Sequence, residues 1–147
     1  FKKVFFLKEK NKKDKFILNV GRFNLQGHCK NQHLIARAFK NLISNKKISE
    51  EWQLIFIGSV DKKSNHSVDH LDLTKENCLM NNTKFFINAK REIVYKYYRN
   101  SAIYVHATGL GIDSKINPEK CEHHMTSKTF VFYLKKTTFY AYVLTPV

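Results

Sequence analysis

Residues 16–23 read Phe16-Ile17-Leu18-Asn19-Val20-Gly21-Arg22-Phe23, and the fold turns on them. Residues 16–20 have the composition of a short buried strand, and Gly21 ends it because a residue without a Cβ lets the chain turn sharply. Downstream, Leu34, Ile35, Ala38, Phe39, Leu42 and Ile43 recur at the spacing of one helical stripe, which predicts a helix over residues 31–44. A second strand is predicted at 53–58 and a helix at 69–80 with Leu71, Cys78 and Leu79 inward. A third strand follows at 84–88, then a helix over 92–100 carrying Ile93, Val94, Tyr97 and Tyr98 on one face, then a fourth strand at 102–106.

Strands alternating with helices of this length imply an α/β fold, a parallel Rossmann-like sheet with helices on both faces and right-handed crossovers. Ligands of such sheets sit beyond the carboxyl ends of the strands. That rule selects residues 21–30, 58–61 and 106–124. After residue 128 the rhythm breaks: 130–134 and 139–144 are aromatic and β-branched runs that read as two short strands or a hairpin, with no helix where the alternation requires one. The expected organisation is a charged linker at 1–15 leading from a missing N-terminal domain, an incomplete domain at 16–127, and an atypical β-prone tail at 128–147.

The 147 residues suit one domain, and 43% hydrophobic content with 14% aromatics argues for a folded globule. The longest apolar runs are only strand length, so no transmembrane span is expected. A formal charge of +14 ordinarily suggests nucleic acid, anionic lipid or a phosphorylated ligand. The excess is almost all Lys, with Arg only at 22, 37, 91 and 99, and the abundance of Lys, Asn, Ile, Phe and Tyr fits A/T-rich coding. Charge is therefore read as coding bias, and no nucleic-acid partner is expected. Cys29, Cys78 and Cys121 are odd in number and widely spaced, which points to a reducing compartment. The first residues contain no initiator Met and too short an apolar stretch for a signal peptide.

Two segments carry candidate chemistry. Gly21 and Gly27 flank a strand-to-helix junction where Arg22 and Lys30 can reach over the sheet edge to a diphosphate, although solvated loop cations are the commoner outcome. No G-x-G-x-x-G is present. The second segment follows strand four, from His106 through Thr108-Gly109-Leu110-Gly111 to Cys121-Glu122-His123-His124. A helix start there would offer N–H groups to phosphate, and Glu122 can accept hydrogen bonds from sugar hydroxyls. On composition alone a surface loop for Glu122 and a strand-end packing residue for His106 are the favoured readings. A metal site of Cys121, His123 and His124 is disfavoured because adjacent strand residues point apart, and neither metal nor cofactor is expected.

Together these segments resemble the C-terminal, donor-binding lobe of GT-B-fold family 4 glycosyltransferases, the group 1 retaining enzymes. The resemblance rests on 17–23, on Gly27-His28-Cys29-Lys30-Asn31-Gln32 leading into Ala38-Phe39, on Leu54-Ile55-Phe56-Ile57-Gly58, and on 104–111 through 117–123. It implies a hexose moved from a nucleotide-sugar donor to an acceptor hydroxyl with retention. Arg22 and Lys30 would neutralise the diphosphate, and Gly21, Gly58, His106, Gly109 and Gly111 would shape the donor loops. Glu122 would be the catalytic candidate, the first carboxylate of the family's E-x7-E motif. The acceptor, a glycan or lipid-linked sugar, would be held through the missing N-terminal domain. The parent enzyme would be cytoplasmic, or peripheral at the inner face of a membrane.

The chain departs from the family just after Glu122. The second Glu, which binds the nucleotide ribose, would fall at Phe130 or, with a gap, Thr129, and neither accepts charge-assisted hydrogen bonds as a carboxylate does. One expectation is a tail read out of frame; the other is a natural tail that closes the sheet edge beside strand four. The rival function is a non-catalytic remnant or a basic nucleotide- or polyanion-binding module. Loss of half a cleft would remove the proximity that group transfer needs, so the isolated chain is expected to be inactive.

Overall fold

The computed structural model describes residues 13–26, 29–107, 129–134 and 137–143, the last two stretches by their backbone. In chain order the elements are β1 (Asp14–Val20), α1 (Gln32–Ser44), β2 (Gln53–Gly58), α2 (Asn65–Glu76), a 3-10 turn (Met80–Asn82), β3 (Thr83–Ile87), α3 (Arg91–Asn100), β4 (Ser101–His106), β5 (Thr129–Leu134) and β6 (Thr137–Val143). One sheet contains all the strands, in the order β3-β2-β1-β4-β6-β5. β1 runs parallel to both β2 and β4, and β2 parallel to β3, so the expected α/β sheet is present. The strand begins at Asp14, within the stretch expected as linker, and Lys13 Nζ donates to the carbonyl of Arg99.

Both faces of the sheet are covered, which is why its strands read as continuous apolar runs. Leu54, Ile55, Phe56 and Ile57 of β2 are all buried, and they alternate between two cores. Ile17, Leu54 and Phe56 join Ile35, Ala36, Phe39 and Ile43 of α1 on one face. Leu18, Ile55, Ile57 and Tyr104 lie on the other, beneath Ile93, Val94, Tyr97 and Tyr98 of α3. Among the described residues no helix is long and apolar enough to cross a membrane.

Helix α1 begins within one residue of expectation, but its buried stripe is Gln32, Ile35, Ala36, Phe39 and Ile43, while Leu42 is 40% exposed. Helix α2 is the larger correction. It starts at Asn65 rather than 69, ends at Glu76 rather than 80, and buries Ser67, His70 and Thr74. Cys78 is buried as expected but lies beyond the helix, its Sγ donating to Thr74 O at 3.1 Å, and Leu71 and Leu79 only flank the core. Apolar spacing misplaced the bounds of this helix because its fully buried residues are polar.

The two tail runs form an antiparallel hairpin, β5 with β6, and β6 pairs antiparallel with β4. This places a strand on the edge that β4 would otherwise expose. Phe130 stands within β5, its backbone in register with Ala141.

Candidate functional site

β1 pairs with β4, across a register shift between Asp14 and Ile17, as far as Leu18 and Tyr104, whereas it follows β2 to its last residue, Val20 opposite Ile57. The two strands on either side of the point where the order reverses therefore part at their carboxyl ends. Asn19, 1% exposed inside an otherwise apolar strand, spans the gap with its Nδ2 on Val105 O at 2.9 Å. A crevice at such a reversal is where open α/β sheets take ligands.

Beyond Val20 the chain stays close to β2: Gly21 N donates to Ile57 O at 2.9 Å and Phe23 N to Ser59 O at 3.0 Å. Gly58 sits directly under this path, so close that a Cβ there would lie 2.1 Å from Gly21 O. From β3, Asn88 adopts a left-handed φ of 52° and clamps the loop after β2, accepting from Val60 N at 3.0 Å and donating to Val60 O at 3.2 Å. The result is a cleft of about 230 Å³ lined by Gly21, Arg22, Gly58, Ser59, Asn88 and, from α3, Val94.

Arg22 is exposed at the rim of this cleft. The Lys30 stem crosses Gly21, its Cγ 3.2 Å from where a Cβ would stand, so the two candidate cations share one edge. Gln32, fully buried at the start of α1, fixes that edge: its Nε2 reaches Gly21 O at 3.3 Å and Arg22 O at 3.2 Å. Asn31 before it holds a left-handed φ of 50°, which turns the chain from the Lys30 loop into the helix. His106 ends β4 with its ring stacked on Tyr104, centroids 6.2 Å apart, on the α3 face of the sheet. Gly27, His28, Gly109, Gly111, Cys121, Glu122, His123 and His124 lie outside the described residues.

Behind the Arg22 loop, His70 is buried between α2 and α1. Its Nδ1 accepts from Asn24 N at 3.0 Å, and its Nε2 stands 3.2 Å from His33 Nδ1 and 4.0 Å from Cys29 Sγ. Burial first, and the neighbouring His33 second, lower the His70 pKa to about 4. Burial likewise pushes the Cys29 thiol up and the Cys78 thiol up to about 11, so neither is an activated nucleophile. Among the described residues no three His, Cys, Asp or Glu side chains are grouped to hold a metal ion.

The low His70 pKa has a sign for stability. Between about pH 6.5 and pH 4 the unfolded chain binds a proton that the folded chain refuses, so stability falls as the pH falls through that window. His33, lowered by burial and then by Arg37, acts in the same direction. Urea unfolding at pH 7 and pH 4.5 is expected to differ by about 2 kcal/mol from His70, and His70→Asn to flatten the profile. An unchanged slope in that variant would refute the assignment.

Four parallel strands in the order β3-β2-β1-β4, with helices on both faces, define a Rossmann-like α/β domain. The sequence profile described as Glycosyl transferases group 1 matches residues 1–112, and the chain belongs to that family. It is thus a glycosyltransferase domain, of a family that works on a sugar donor and an acceptor. The match spans β1 to β4 and ends before Glu122. No curated protein matches the chain significantly.

Sequence reasoning missed Gln32, Asn88, Asn19 and His70 as determinants of this edge. The signal for Asn19 was present, a lone amide within an apolar strand; the others show no local pattern.

Proposed function

We propose that this edge binds a nucleotide-sugar donor and that the domain serves hexose transfer with retention, in the manner of the family 4 enzymes. The observation that carries the reading is the Lys30 stem packed against Gly21, next to Arg22 at the rim of a cleft at the carboxyl ends of β1 and β2. Cations held in place before the reaction stabilise charge that develops on a departing diphosphate without reorganising. Gln32 contributes by holding the two carbonyls between which Arg22 departs. Glu122 is the group proposed to hold the donor sugar's hydroxyls. Free, buried Cys29 and Cys78 agree with a reducing, cytoplasmic setting.

Calorimetry with uridine, guanosine and adenosine diphosphate sugars, set against single-stranded RNA, tests the reading. One nucleotide sugar is expected to bind saturably, and Arg22→Ala and Lys30→Ala each to weaken it about 10- to 100-fold, the worth of a charge-assisted contact. Glu122→Ala is expected to lower sugar-dependent affinity while sparing the bare diphosphate. Binding to RNA alone, with steep salt dependence, would overturn the donor reading in favour of a polyanion binder.

A further inference from the structure

Helix α2 faces an apolar cluster, yet it buries Ser67, His70 and Thr74. Thr74 is satisfied locally, its Oγ1 donating to His70 O at 2.7 Å. Ser67 and His70 are satisfied by the loop that follows Arg22. Ser67 Oγ donates to Phe23 O at 2.7 Å and accepts from Asp61 N at 3.0 Å. His70 Nδ1 accepts from Asn24 N at 3.0 Å, and the next residue, Leu25, donates its N–H to His66 O at 3.3 Å. Three consecutive loop residues are thus bonded to the first turns of one helix. Apolar side chains would fill that face without desolvating polar groups, so the polar ones add directionality rather than packing.

His70 extends the connection across the domain. Because Nδ1 accepts, Nε2 carries the proton and donates to His33 Nδ1 on α1, while the ring packs edge-on to Phe23 at 5.7 Å. We propose that His70, assisted by Ser67, is a positioning residue for the donor site: it fixes the backbone of residues 23–25 and thereby the direction in which Arg22 is presented. This rests on the donor reading above. The groups facing the imidazole are His33 from α1, Cys29 and Asn24 from the loop, and Arg37 beyond His33; among the described residues neither ring bonds a carboxylate. The device therefore works with a neutral ring.

The test uses the full chain, with UDP, GDP and ADP as calorimetric probes, thermal melts, and exchange of the Asn24 amide followed by NMR. In His70→Asn, Oδ1 takes the place of Nδ1; this variant is expected to keep the Asn24 amide protected and affinity within about threefold of wild type. His70→Leu is expected to expose that amide and weaken the best-binding diphosphate about tenfold or more, an effect of one lost oriented hydrogen bond. Ser67→Ala, the milder change, is expected to weaken binding severalfold if His70→Leu does not fold. Wild-type affinity in a folded His70→Leu, or in Ser67→Ala should His70→Leu not fold, overturns this proposal and leaves the donor reading intact. No binding of any diphosphate by wild type overturns the donor reading itself, and the ligand-positioning role with it.

Discussion

Gly58→Ala is expected to destabilise the domain by at least about 3 kcal/mol, enough to remove much of the margin of a typical small domain. The added Cβ would stand 2.1 Å from Gly21 O and 2.9 Å from the nearest ring carbon of Phe23. A flexible side chain would yield, but the first of these neighbours is backbone, and that backbone is held on both sides. Gly21 N is bonded to Ile57 O, and Gly21 O to Gln32. Gly58 O in turn accepts from Asn88 N at 2.9 Å, so β2 cannot retreat without loosening β3. Gly21→Ala is the control. Its Cβ would meet chiefly the Lys30 stem, 3.2 Å away, which can move, so the cost is expected to stay below about 1 kcal/mol. Chemical denaturation of both variants checks this, and equal stabilities would show that the two loops do not approach as described.

Phe23→Ala is expected to cost about 3 to 5 kcal/mol and to lower donor affinity as well. Phe23 belongs to a loop, yet it is 1% exposed and packs its ring against Phe56 at 6.3 Å, Phe85 at 6.5 Å and His70 at 5.7 Å. Its backbone is equally committed, N to Ser59 O and O to Ser67 Oγ. The residue next to Arg22 is thus a core residue, and the cavity left by its removal would free the loop that carries the cation. Phe23→Leu is expected to restore most of the stability because it refills most of the volume. A shift in the urea midpoint equivalent to less than about 1 kcal/mol for Phe23→Ala would mean that the ring does not close the core.

Much of the frame is legible in the residues themselves. Sequence pattern bounds β2 correctly and β1, β3, β4, α1 and α3 to within one or two residues, because each carries an apolar run or stripe of its own that joins one of the two cores. Arg22, Lys30 and Gly58 are legible for a related reason: Gly58 closes β2, and Arg22 and Lys30 lie in the loop between β1 and α1, whose bounding elements are readable. Helix α2 is misplaced by pattern alone because its buried face is Ser67, His70 and Thr74, whose burial is made tolerable by partners in a loop more than forty residues earlier. No periodicity records a hydrogen bond of that span.

The alternation of strand and helix, the two-sided burial of the sheet and the family are all legible along the chain, since burial of an element's own face is written in its own residues. Tertiary structure alone sets Gly58 beneath Gly21, Gln32 on the carbonyl of Arg22, β6 beside β4, and His70 as the tie between the Arg22 loop and helices α2 and α1. Each of these joins groups distant along the chain, and such a pairing becomes visible only when strand order brings its two halves together.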